Sequence, residues 1–219
     1  MKKTITFLLI IIAIFIGYKL LQKEETPEPE SINISDWQTL TSEQYNFQLK
    51  YPAMDWNTTK APDDELSPKY NLYIKPAGVP VDDPFTHFAN ITNISVFPHG
   101  IPTEGLIGET RAVRGGWGGN IATSSRVYTL KDGTPFAAYL QFKRTPESWN
   151  DSGFVWVRLK LDNMDTTCYK NGEEISDEKC NPLGSMEEYR IEWNGKIVNQ
   201  DFWEKAKEVV KSISFPKAD

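Results

Sequence analysis

In the stretch over residues 42–52 apolar and polar side chains alternate one by one from Tyr45 to Tyr51. Tyr45, Phe47, Leu49 and Tyr51 fall on one parity, and Asn46, Gln48 and Lys50 on the other. A period of two sends successive side chains to opposite faces of a strand, so the stretch predicts a half-buried strand. Pro52 has no N–H for a ladder and ends it, and Trp56 follows within reach of the same core. The pattern returns down the chain. Residues 71–75 read as a short strand closed by Pro76 and Gly78, and residues 91–97 as another, rich in β-branched side chains. Residues 126–131 and 134–143 flank Asp132-Gly133, a pair that a type I′ hairpin turn prefers. Residues 154–162 predict one long strand, with Val155, Val157, Leu159 and Leu161 inward and Phe154, Trp156, Arg158 and Lys160 on the other face. Tyr189, Ile191 and Trp193 mark a further strand, and Asn194-Gly195 a tight turn after it.

The period changes near residue 201. Phe202, Ala206, Val209, Val210 and Ile213 form a stripe at helical spacing, with Lys205, Lys207, Glu208 and Lys211 on the other side. Asp201 and Glu204 have the spacing of a capping box. Many antiparallel strands and a closing helix predict an α+β class, an antiparallel sheet flanked by helices.

The first residues follow neither period. Met1-Lys2-Lys3 precedes an apolar run over residues 5–21, broken by Thr6, Tyr18 and Lys19. As a helix it is about 25 Å long at ~1.5 Å per residue. Lys19 can snorkel and Tyr18 suits an interface. The region after the run is bulky and charged, without the small residues a signal peptidase needs, so it reads as an uncleaved signal anchor and transmembrane helix (residues 1–21). A short tail before a long following domain places that domain on the extracytoplasmic side of a single-pass protein. Glu24, Glu25, Glu28 and Glu30 with Pro27 and Pro29 make residues 22–35 a solvated tether. Residues 36–219 remain as one domain, with aromatic side chains to fill its core.

Two patches resemble the PsbP-like (PsbP/Mog) domains. One is the tyrosine-x-phenylalanine-x-leucine-x-tyrosine-proline run from Tyr45 to Pro52, followed by Trp56. The other is the last helix running into Ser212-Ile213-Ser214-Phe215. The resemblance implies a PsbP-like sandwich, and members of that group are mostly non-enzymatic accessory, docking or assembly factors. These are core-pattern motifs, so they carry over no functional residue.

The chain's net charge is −6, and its first 35 residues hold four Lys and four Glu, so the imbalance belongs to the domain. An acidic domain with no basic stripe is unsuited to nucleic acid. Cys168 and Cys180 are the only cysteines. In an exported domain they read as one disulfide, and their spacing is neither that of a redox pair nor part of a zinc set. His87 and His99 are the only histidines, and no nucleophile elbow accompanies them, so both read as loop residues satisfying local polar groups. Asp82 and Asp83 with His87, or Asp63, Asp64 and Glu65, lack the spacing of a calcium loop. No metal or cofactor is expected.

The sharpest oddity is Gly115-Gly116-Trp117-Gly118-Gly119. It is not a phosphate loop. Trp117 is either a plug in the core beside a bent strand or an exposed anchor that, with Arg111 and Arg114, meets a partner. The expected function is a non-catalytic accessory or protein-binding module at the outer face of a membrane, with a membrane or envelope protein as partner. The alternatives are a cell-envelope enzyme using Asp82 or Asp83, and a small-ligand receptor with an apolar pocket between sheet and helix.

Overall fold

A computed structural model of the chain describes residues 32–60, 70–74, 92–100, 108, 110–113, 115–180 and 189–216. The described elements belong to one unit, Asn33–Asp219. It opens with an antiparallel hairpin of β1 (Gln38–Ser42) and β2 (Phe47–Tyr51). The alternating stretch is therefore half turn and half strand. Tyr45 sits in the turn, which Asn46 closes with φ 48°, a conformation asparagine tolerates. Tyr45 is buried all the same. Its ring meets His99 edge-on at 5.2 Å, and its carbonyl accepts the Trp149 indole N–H at 2.9 Å.

Seven strands make the largest sheet: β3 (Trp56–Lys60), β4 (Tyr70–Ile74), β5 (Asn93–Phe97), β6 (Thr110–Ala112), β7 (Arg126–Thr129), β8 (Pro135–Leu140) and β9 (Phe154–Arg158). Their order is β3-β4-β5-β9-β8-β7-β6, and every neighbouring pair is antiparallel. The register lines up Ile94, Val157, Ala138 and Val127 across four strands of one face, with Val96, Val155 and Leu140 beside them. These belong to the same buried cluster as Phe47 and Leu49 of the hairpin. The opposite face aligns Asn93, Arg158, Ala137 and Tyr128, then Ser95, Trp156 and Tyr139. A chain of ring contacts runs along it: Phe97 to Phe154 (4.9 Å), Phe154 to Tyr139 (4.6 Å), Tyr139 to Trp156 (5.9 Å) and Trp156 to Tyr128 (5.8 Å). All five residues of β9 are buried. Of the face that alternation leaves outside, Phe154, Trp156 and Arg158 are inside and only Lys160 is not buried.

The predicted single strand over residues 154–162 is two strands in two sheets. β10 (Leu161–Lys170) pairs with β11 (Glu173–Ile175) and β12 (Tyr189–Ile197) in the order β11-β10-β12. The Leu159 N–H still reaches the Phe136 carbonyl at 2.8 Å, and Leu161 already pairs with Ile197. β12 runs straight through Asn194-Gly195, where a tight turn was expected. Gly195 faces a bulge between Asp162 and Asp165, and a Cβ on it would stand 3.3 Å from the Asp162 carbonyl. The glycine permits close backbone approach rather than a reversal.

The Asp132-Gly133 hairpin forms, with a different turn. Leu130 and Thr134 are joined by a 2.8 Å hydrogen bond, Gly133 donates to the Leu130 carbonyl, and only Gly133 (φ 85°) is left-handed. This is the three-residue loop with a left-handed glycine, since a type I′ turn needs positive φ at both central residues.

Among the described residues one α-helix, α1 (Asp201–Lys211), completes the fold. It buries Phe202, Trp203, Ala206, Val209 and Val210, and Phe202 stacks on Trp56 at 4.4 Å. The capping box is absent. Gln200 is the N-cap and makes no side-chain cap bond, so Asp201 and Glu204 act only as acids in the first turn. Beyond α1 the chain joins the hairpin. Gln48 and Ser214 exchange both backbone bonds (3.0 and 2.9 Å), and the Ser212 hydroxyl accepts the Lys50 N–H at 2.8 Å.

The expected α+β class, a sheet flanked by helices behind an N-terminal transmembrane helix, is thus corrected. Among the described residues the chain is mostly β, three antiparallel sheets and one α-helix. Among the described residues only 201–211 form an α-helix, and the first hairpin is built of strands. No helix among the described residues is long and apolar enough to cross a membrane. The apolar run over residues 5–21 lies outside the described residues.

Candidate functional site

The Gly-Gly-Trp-Gly-Gly segment lies over α1. Gly115, Gly116 and Gly118 all take positive φ (30°, 80° and 97°), which side chains rarely adopt. Gly116 faces Lys207 and Gly118 faces the backbone of Lys211. Trp117 is thereby turned inward. It is 4% exposed and meets Trp203 edge-on at 5.1 Å. Of its two readings the geometry realises the core plug, and the buried indole has no surface to offer a partner. Arg111 is exposed on β6, an edge of the large sheet, beside Pro135, Asp201 and Glu204. Arg114, Asp63, Asp64, Glu65, Asp82, Asp83 and His87 lie outside the described residues.

Cys168 and Cys180 form the expected disulfide. It ties β10 to the chain just past β11, where Lys170 lies over the Tyr189 ring and Arg190 over the Tyr169 ring. Glu192 on the same arm accepts Lys131 (3.1 Å), Arg190 (2.7 Å) and the Tyr169 hydroxyl (3.1 Å). Chiefly the Lys131 hydrogen bond holds its carboxyl below the usual range. Among the described residues no three His, Cys, Asp or Glu side chains gather where they could hold a metal. His99 does what a loop histidine does: its Nε2 lies 3.1 Å from the Ser148 carbonyl, and its own carbonyl accepts Asn150.

Two buried polar features escape sequence reasoning. Arg158 is 5% exposed, donates to Asn93 Oδ1 at 2.9 Å and approaches the Ser95 hydroxyl, and burial pulls its guanidinium down to about 10. Tyr128, at the other end of the aromatic row, is pushed up to about 12, first by burial and then by Tyr139. Both belong to the packed interior.

A surface groove lies elsewhere. The turn over residues 43–46, the loop over residues 144–148 and the segment over residues 213–216 enclose an open groove of about 1080 Å³. Its apolar floor is Ile213 and Phe215, and the Phe215 ring is wedged between Phe142 (5.4 Å) and Trp149 (5.2 Å). Its walls carry Glu43, Asn120, Arg144 and Glu147. Asn120 holds one wall by donating to the Arg144 carbonyl. No family model, curated protein or solved structure matches the chain. The groove's chemistry is therefore read from its own side chains. The sequence pointed to Trp117 and Arg111 for contact and missed this place, whose walls come from three segments about 100 and 70 residues apart.

Proposed function

We propose that this chain is a non-catalytic accessory module that binds a membrane or envelope protein. The apolar run over residues 5–21 tethers it to the outer face of a membrane. The observation that carries the reading is the groove, large, open, apolar at its floor and polar at its rim, the anatomy of a protein contact surface. By contrast, the space between sheet and helix that a small-ligand receptor would use is filled. Trp56 stacks on Phe202 there, and Trp117 meets Trp203 edge-on. The disulfide supports an oxidising, extracytoplasmic compartment. The resemblance of residues 45–52 and 212–215 to PsbP-like domains supports an accessory role in the same direction.

Residue-nonspecific crosslinking of the full chain in its native membrane, followed by purification and identification, tests this. One reproducible membrane or envelope protein is expected. Recovery of the full chain alone, from cells that express it at its normal level, would overturn the reading.

A further inference from the structure

The groove's floor is bridged to the first hairpin. Ser214 spends both its backbone groups on Gln48 of β2. In an extended chain the neighbouring residues direct theirs to the other side. On that side the Phe215 N–H and the carbonyls of Ile213 and Phe215 take no backbone hydrogen bond among the described residues. Phe215 and Ile213 both line the groove, and Pro216 ends the edge because it has no N–H. The hairpin thus continues from β1 and β2 to a bridge at Ser214, whose neighbours Ile213 and Phe215 line the groove.

We propose that the groove takes an extended polypeptide segment of the partner, added as a strand beside residues 213–215. The inference rests on the protein-binding reading and names its mode. The antiparallel arrangement lets one partner residue exchange two hydrogen bonds with Phe215, its N–H and its carbonyl together. The wall at residues 144–148 then receives alternate side chains of the added segment, with Pro146 as an apolar contact and Glu43, Arg144 and Glu147 at the rim. This chemistry selects for a polypeptide. A polysaccharide has no donor–acceptor repeat matched to a strand. The β6 edge of the large sheet is a poorer template. β6 is three exposed residues with Arg111 at its centre, and a second copy paired there antiparallel about that residue would set Arg111 against Arg111, a repulsion of the kind that protects edges.

The test uses the full chain in detergent micelles and a phage-displayed library of random linear peptides. Selected peptides are expected to protect the Phe215 amide from hydrogen exchange. Thr145→Trp, which fills the groove from an exposed wall position, is expected to weaken them by about tenfold or more. Thr110→Trp on β6 is expected to leave them unchanged. Two results overturn the proposal: selected peptides that bind equally well to Thr145→Trp, or that leave the Phe215 amide exchanging as before. A library that yields no peptide preferring the parent chain over Thr145→Trp overturns it too. The membrane crosslinking result is independent of all three, so a protein partner found there with these failing would keep the accessory role and move its surface.

Discussion

At the scale of single residues, burial decides most outcomes, and some of it is hidden from the sequence. Trp117 replaced by Ala empties a site against Trp203 and is expected to cost about 3–5 kcal/mol. A thermal melt of the variant reads this as a large drop in Tm, whereas an unchanged Tm would return the indole to the surface. Tyr128 gives a pH signature. Its folded pKa, about 12, lies above the ordinary 10.0, so the folded state holds the proton more tightly. The stability this supplies is whole below pH 10 and is lost as pH rises toward 12. The loss is on the order of 2 kcal/mol, and Tyr128→Phe is expected to flatten alkaline denaturation over that window. Glu192 has the opposite sign. Its carboxyl is held low, so its contribution is present above the usual carboxylate range and disappears as pH falls through the folded value. Denaturant midpoints of Glu192→Gln should match the parent at low pH and fall below it near neutrality. Alternation placed Phe154, Trp156 and Arg158 outward because it reports only parity. It cannot say that both faces of a central strand are covered.

At the scale of elements, local chemistry was legible where it was self-contained. The strand over residues 93–97, the hairpin at Asp132-Gly133 and the stripe of α1 all follow from short-range pattern. What failed needed partners from afar. β1 is mostly exposed and shows no alternation, and it exists because β2 pairs with it. Residues 154–162 keep one parity throughout, yet they split where the large sheet ends and the arm begins, a boundary set by Phe136 and Ile197 rather than by any residue in the run. The capping box at Asp201 lost to a helix that starts one residue earlier than the motif requires. Cysteine counting succeeded because two cysteines allow one pairing. The bridge closes a short loop across a separation of 12 residues. Removing it with Cys168→Ala and Cys180→Ala together is expected to cost about 2–3 kcal/mol. A parent and double variant with equal midpoints in denaturant would show that the strand pairing of β10 with β12 suffices by itself.

At the scale of the whole molecule, the groove and the fold share one construction: the last described segment lies beside the first hairpin. The Lys50 N–H and the Ser212 hydroxyl are hydrogen-bonded across a separation of 162 residues, and Tyr45 and Trp149 across 104. Such a topology makes folding slow, since distant pairing comes only after a long loop has closed. In pulsed hydrogen exchange during refolding, the Gln48 and Ser214 amides are expected to become protected together and late. Early protection of Gln48 alone would show that the hairpin forms without its closing segment. On the ribosome the arrangement means that β2 keeps an open edge until residue 215 has been made. Under the proposed export, this edge would stay open during passage through the membrane and would seal only on the far side. Sealing that edge would also complete the floor of the groove.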